Sequence, residues 1–376
     1  TRGRPQQALE TRALWLERAE SPDAIEHIFG CDPDDEQGPM LGGFRHIIQD
    51  PDGGPVGAWN MAASIAHGDV LVQVSDDMMP PQGWDRMILE RIGDTSKPAV
   101  LRVSDGYRND GLIVLAIVTQ AWVKQQGYLF HPAFFSMYSD DWLTESANKA
   151  DAIIEATDIV FEHRHPVFTG EAMHATTAQS NRLLHYATGA KVLEQLREGK
   201  EPFTWHDVPT IGIDPSPSLV HERVIASLNM PECIEVGVAQ GRGLACMATL
   251  AEFKGGKASG VDTFNGTEGE AIEYPPQMAM LCNSHIERCG LHCLIHIGES
   301  AEVAASNPDG CADYIFLDAA HDYDSVKRDI AAWQPKIKVG GVFSGHDAQH
   351  EPVSRAVKES VPDAVMLGCL WTTSFR

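Results

Sequence analysis

Two rhythms of apolar and polar positions alternate along this chain. Apolar residues return every three or four positions over 6–19, 56–67, 84–92, 119–126, 175–197, 242–253, 276–288 and 324–333, which predicts helices, and the segment 134–142 opens another that runs to about 150. Between them lie short β-rich runs at 24–31, 44–49, 69–74, 100–103, 112–118, 152–154, 159–162, 233–238, 257–262, 291–297, 311–318 and 338–347. Two last segments, 353–360 and 364–370, complete the sheet. Strands that alternate with helices predict open α/β sheets, which bind ligands at the carboxyl ends of their strands. Acidic residues stand at several of those ends.

The period breaks at 199–217, GKEPFTWHDVPTIGIDPSP, which is proline-rich and reads as a linker. Residues 1–198 and 218–376 are then two α/β domains, as a chain of 376 residues leads one to expect. A formal net charge of −24 argues against a nucleic-acid partner, because a phosphate backbone repels an acidic protein. No apolar run reaches the ~18 residues of a membrane-spanning helix, and no leader pattern opens the chain, so a cytoplasmic protein is expected. The eight cysteines include no CxxC pair and read as reduced, mostly buried thiols. Cys282, His285, Cys289, His292, Cys293 and His296 are close in sequence, but a helix, a glycine stop and a strand would scatter them over different faces, which disfavours a zinc site.

The stretch 232–262 is a strand, glycine turn, helix, strand unit. Gly237, Gly241 and Gly243 permit a sharp turn and close approach to a ligand, and Asp262 stands where a carboxylate meets a ribose. Together with FLDAAHDYDSVKRDIAAWQPKIKVGGVFSGHD further on, EVGVAQGRG resembles class I S-adenosylmethionine-dependent methyltransferases of the sugar and antibiotic O-methyltransferase branch. The resemblance covers about 160 residues and implies a Rossmann-like fold. It implies that Glu235 and Gly237, with Gly241 and Gly243, hold the amino-acid end of S-adenosylmethionine, that Asp262 holds the ribose, and that Glu299 and Ser300 lie near the adenine. Methyl transfer also needs the acceptor hydroxyl in line and made nucleophilic. Asp318 and Asp347 are oxygen ligands suited to Mg²⁺ or a similar cation, and His321 or His346 is placed to accept the proton. Alternatively, His321 and Asp322 merely cap the helix that follows.

In the first domain TRGRP, CDPDD, the segment AWNMAASIAHGDVLVQVSDDMMPPQGWD and YSDDWLTESA resemble, in that order, GT-A fold glycosyltransferases. The resemblance implies a strand ahead of TRGRP that this sequence does not include. It implies a nucleotide sugar as donor, Mn²⁺ or Mg²⁺ held by Asp76, Asp77 and His165, nucleoside contacts from the turn containing Asp32, Asp34 and Asp35, and an acceptor-side base at Asp140 or Asp141. The expected protein is a bifunctional glycan-modifying enzyme acting on a glycan or small-molecule hydroxyl. The alternative is a methyltransferase whose first domain only binds a glycan.

Overall fold

A computed structural model describes residues 3–36, 38–48, 53–165, 168, 170, 182–210, 216–266 and 275–373. The chain divides into two compact units, Thr1–Leu193 and Glu194–Arg376.

In the first unit the helices are α1 (Pro5–Glu17), α2 (Gly54–Ser64), α3 (Trp84–Ile92), α4 (Gln120–Gln126), α5 (Ser139–Lys149) and α6 (Leu183–Arg197), the last running across the boundary. The strands are β1 (Phe29–Cys31), β2 (His46–Ile48), β3 (Val70–Val72), β4 (Met78–Met79), β5 (Val100–Ser104), β6 (Ile117–Thr119), β7 (Ile153–Val160) and β8 (Glu162–His163). A four-stranded sheet has the order β3-β6-β5-β7, in which only β5 and β7 are parallel. Two small pairs stand apart from it, β1 with β2 and β4 with β8. Trp15, Trp84 and Phe161 form the aromatic heart of this core: Trp15 meets Trp84 edge-on at 5.0 Å and stacks on Phe161 at 5.6 Å. Each indole N–H is satisfied as burial requires, Trp15 donating to the Met78 carbonyl and Trp84 to the Trp15 carbonyl.

The second unit adds α7 (Ser216–Ala226), α8 (Arg242–Phe253), α9 (Met278–Arg288), α10 (Ser300–Ser306), α11 (Tyr323–Trp333) and α12 (Glu351–Ser360). Its strands are β9 (Glu232–Val236), β10 (Lys257–Asp262), β11 (Leu294–Ile297), β12 (Ala312–Leu317), β13 (Ile337–Gly345), β14 (Val365–Leu367) and β15 (Leu370–Thr372). They form one seven-stranded sheet in the order β11-β10-β9-β12-β13-β15-β14, parallel except for the two pairs that involve β15. The chain moves outward from β9 in one direction through β10 and β11, then returns to β12 on the other side. That reversal between β9 and β12 is the topological switch point, where the carboxyl ends of neighbouring strands open a crevice.

Several expectations change. Residues 353–360 do not extend the sheet, because Val353, Ala356 and Val357 recur at helical spacing and are the buried face of α12. The run 112–118 is a strand only from Ile117. Ile113, Leu115 and Ala116 are buried before it, but their backbone is tied to side chains: Ile113 N–H donates to Thr144 and Ala116 N–H to Gln73. The strand at 24–31 shrinks to β1, since Pro22–Ala24 is a 3₁₀ turn. Segments 152–154 and 159–162 join through the single strand β7, and Glu162 begins β8. Within the stretch read as a linker, Trp205–Asp207 is a 3₁₀ turn closed by a capping box in which Thr204 and Asp207 satisfy each other's backbone. Residues 211–215 of that stretch, and 175–181 of the helix expected at 175–197, lie outside the described residues.

Candidate functional site

In the second unit the crevice between β9 and β12 is built by backbone against backbone. β9 delivers Gly237 at φ +88°, and a Cβ there would stand 2.0 Å from the Asp318 carbonyl oxygen at the end of β12. Only glycine fits. Gly241, at φ +90°, precedes the first turn of α8, and a side chain there would strike the Cys282 thiol. At Gly243 a Cβ would meet the Glu235 carboxylate at 2.2 Å. The glycine spacing therefore lets the turn tuck against β12 and lets the first turn of α8 sit on a carboxylate.

That carboxylate is the most unusual group in the unit. Glu235 is 2% exposed, and its Oε2 has no hydrogen-bond partner among the described residues. Burial, with Asp318 and Asp262 nearby, pushes its pKa well above the usual carboxylate range. A buried, unsatisfied acid is costly unless a ligand completes it. Asp262, at the end of β10, accepts from the Val238 and Ala239 N–H groups at 2.9 and 2.8 Å and from the Phe264 N–H at 2.7 Å. It pins the glycine turn and, with up to four lone-pair directions on its two oxygens, retains capacity for a hydroxyl. Glu235, Gly237 and Asp262 thus gather at the neighbouring carboxyl ends of β9 and β10, and they fit a ligand with a cationic amino-acid end and a ribose. Of the residues expected near the adenine, Glu299 is exposed at the start of α10, and the Ser300 hydroxyl accepts from Trp333 Nε1 at 2.9 Å.

Beside this turn, Asp318, His321 and Asp347 present ligand atoms within 4.8 Å of one another. His321 Nε2 is 2.8 Å and His346 Nδ1 3.1 Å from Asp347 Oδ2, and Gln349 donates to Oδ1 at 3.0 Å. Burial favours the protonated acid, but these hydrogen bonds win and hold Asp347 far below the usual range. Asp347 reaches them from a left-handed backbone, φ +59°, which is uncommon for a residue with a side chain and often marks a constrained site. Asp318 goes the other way. Burial, aided by Asp347, raises it to about 7 against the pull of His346 and His321, so at neutral pH it is part carboxylate and part acid. Two carboxylates with opposed shifts facing two imidazoles can hold a divalent cation or move a proton. Asp322 does act as a cap, its carboxylate accepting from the Ser325 N–H at the start of α11.

In the first unit Asp32, Asp76, Asp77, Asp140 and His165 line one cavity of about 1030 Å³, whereas Asp34 and Asp141 are not among its lining residues. Asp76 is bridged by Arg4 at 3.1 Å, and burial nevertheless raises its pKa. Asp77 behaves oppositely: burial would raise it, but hydrogen bonds from His163 and Ser75 lower it. Asp140 is pushed up to about 6 by burial and by its neighbour Asp141, the range of a usable general base.

Two residues here were missed from sequence. His163, in the same His-Arg-His run as His165, lies with Nε2 3.4 Å from Asp77 Oδ2 and Nδ1 3.8 Å from a carboxylate oxygen of Asp105. Nothing in a single aspartate after a β-strand distinguishes Asp105, but the pairing of β8 with β4 could be foreseen only from the tertiary fold.

Comparison with known proteins narrows the second unit. Residues 234–348 match the methyltransferase domain family. The second unit therefore carries a class I methyltransferase-like domain with a Rossmann-like fold. The match runs from β9 past Asp347 and contains the glycine turn, Asp262 and Asp318. No curated protein sequence matches the chain. Among solved structures, an SAM-dependent O-methyltransferase from Thermotoga maritima is 20% identical with a TM-score of 0.32, covering 42% of this chain and 54% of its own. An O-methyltransferase from Bacillus cereus in complex with SAH is 15% identical with a TM-score of 0.34, covering 49% and 90%. CalS11, a TDP-rhamnose 3′-O-methyltransferase of calicheamicin biosynthesis, is 14% identical with a TM-score of 0.33, covering 54% and 95%.

Proposed function

We propose that the second unit binds S-adenosylmethionine and methylates a hydroxyl of a sugar or related small molecule. The observation that carries this reading is the buried, unsatisfied Glu235 carboxylate beneath the glycine turn, beside Asp262 and facing the Asp318–His321–Asp347 cluster. When bound, the sulfonium supplies an electrophilic methyl group. Glu235 and the turn hold the amino-acid end of the donor and Asp262 its ribose, while Asp318 and His321 orient the acceptor hydroxyl. Toward an acceptor in line with that methyl group, Asp318 or His321 would take the hydroxyl proton, and Asp347 would steady the imidazole. A divalent cation held by Asp318, Asp347 and His321 would lower the hydroxyl pKa at the same place. Calorimetric titration of S-adenosylhomocysteine into the chain tests the reading: binding that Glu235→Gln weakens at least tenfold supports it, and no binding to the parent chain refutes it.

For the first unit we infer a nucleotide-sugar site in the acidic cavity, with Asp76 and Asp77 on a Mn²⁺ or Mg²⁺ ion, Asp32 toward the nucleoside and Asp140 as acceptor-side base. Two such units in one chain make sense if the sugar transferred at one site is methylated at the other, since tethering raises effective concentration. The Arg4–Asp76 ion pair favours a second reading, a unit that binds a glycan without transferring it, because a guanidinium already neutralises one carboxylate. Hydrolysis of a panel of nucleoside-diphosphate sugars by the parent chain and by Asp77→Ala separates them.

A further inference from the structure

The core face of α11 carries one misfit. Beside Val326, Ile330 and Trp333 stands Asp329, an acid that is only 5% exposed. Part of its role is visible in the hydrogen bonds: Trp333 Nε1 donates to the Ser300 hydroxyl at 2.9 Å, and that hydroxyl gives its own proton to the Asp329 carboxylate. The chain ties α11 to the start of α10. It leaves Oδ1 of Asp329 buried with no hydrogen-bond partner among the described residues. Burial raises the pKa of Asp329, and the Ser300 hydrogen bond pulls it back down. A buried oxygen without a donor is costly, so a group that donates to Oδ1 would stabilise the site.

Asp329 lines a cavity of about 20 Å³ together with Asp318, and Val326, Val353 and Trp371 close it with apolar surface. A buried water needs about 10–15 Å³ of such space and at least two polar partners, and this cavity offers both. Two ionised carboxylates only accept and cannot serve each other, whereas a water has two protons to give and can serve both. Among the described residues Asp329 is not part of the group Asp318, His321 and Asp347, whose ligand atoms lie within 4.8 Å of one another, so its link to that group is indirect. We propose that Asp329 is a positioning residue that holds one water in this cavity, and that the water donates to Asp329 Oδ1 and to the Asp318 carboxylate, keeping Asp318 turned toward the acceptor. One line of hydrogen bonds then runs from Trp333 and Ser300 through Asp329 to the end of β12. The inference rests on the reading of Asp318 as a group that takes the acceptor's proton.

The test is a set of crystal structures of the full chain with S-adenosylhomocysteine, at a resolution that shows ordered water, for the parent, Asp329→Asn and Asp329→Leu. Calorimetric affinities for S-adenosylhomocysteine and circular dichroism melts accompany them. The parent should show a single water about 2.6–3.0 Å from Asp329 Oδ1 and from an Asp318 oxygen. Asp329→Asn keeps an acceptor for Ser300 and can turn its amide N–H to the water, so it should retain both the water and the Asp318 rotamer. Asp329→Leu has no polar atom to offer, and it should lose the water and release the Asp318 side chain while binding S-adenosylhomocysteine within about twofold of the parent. No water in the parent, or contacts of about 2.0–2.4 Å that mark a metal ion, overturns the inference and leaves the methyl-transfer reading standing. So does an Asp318 rotamer that is unchanged in Asp329→Leu, or a loss of affinity there, which would assign Asp329 to the Ser300 turn alone. No binding of S-adenosylhomocysteine by the parent refutes the methyl-transfer reading and the positioning role with it. Should Asp329→Leu melt without cooperativity, the parent density still decides.

Discussion

The two units solve the same problem, presenting carboxylates to a ligand, in opposite ways. In the second, the site follows from the sheet: β9, β10, β12 and β13 are neighbours, and Glu235, Asp262, Asp318 and Asp347 lie on or just beyond their carboxyl ends. In the first, the sheet has four strands, and its acids come from a turn after β1, a loop after β3, a loop after β5 and the start of α5. One site is a crevice closed by backbone contact; the other is a cavity of about 1030 Å³ in which Asp76 pairs with Arg4 and Asp77 faces His163. Sites on parallel strand ends inherit their geometry from hydrogen-bond ladders, whereas sites on loops need individual ion pairs to hold each acid.

The largest effect should come from Gly237→Ala. A Cβ at φ +88° and 2.0 Å from a carbonyl oxygen forces the turn apart at about 3 kcal/mol or more, and methyl transfer is expected to disappear. Nucleotide binding by the first unit should survive, and calorimetry with both ligands checks it. If both are lost, the units are not separable. Next, Asp318→Asn should lower the rate of methyl transfer on the order of 100-fold or more with S-adenosylhomocysteine affinity kept, read by single-turnover kinetics. Asp77→Ala should cost about 100-fold in nucleotide-sugar hydrolysis and nothing in methyl transfer.

A smaller test uses pH. Burial raises Asp318 to about 7 in the folded chain, above the unfolded value near 3.9, so the folded state holds its proton longer. Its ionisation costs nothing below about pH 4, grows through the window to about pH 7 and is complete above it. Asp318→Asn should therefore raise the melting temperature at pH 8, by an amount on the order of 2–4 kcal/mol in stability, and change it little at pH 4. A shift of equal size at both values would reject this account. Smallest of all, Asp34→Ala should alter neither stability nor nucleotide binding measurably, because Asp34 is exposed and is not part of the cavity lining.

The same contrast explains what was legible in the sequence. Trp84–Ile92 was bounded correctly because its cap glycines and apolar spacing are local signals, and the strand ends at Asp262 and Asp318 fell within a residue of their expected places. Local pattern also placed the glycine turn. It did not reveal that Ser300 serves Trp333, that Arg4 reaches Asp76 from the start of the chain, or that His163 comes within 3.4 Å of Asp77. Each depends on contacts between residues far apart in sequence. The helix at 351–360 is a different kind of miss, since its apolar spacing was present and was outweighed by the expectation of another strand.

The abutment of Gly237 on Asp318 has a practical side. Because the turn after β9 lies directly against the Asp318 carbonyl, with no room for a side chain between them, a substitution that shifts the backbone at the end of β12 will also press on that turn. A library meant to change which hydroxyl is methylated should leave residues 237, 243, 318, 321 and 347 untouched and diversify the exposed positions 349 and 350.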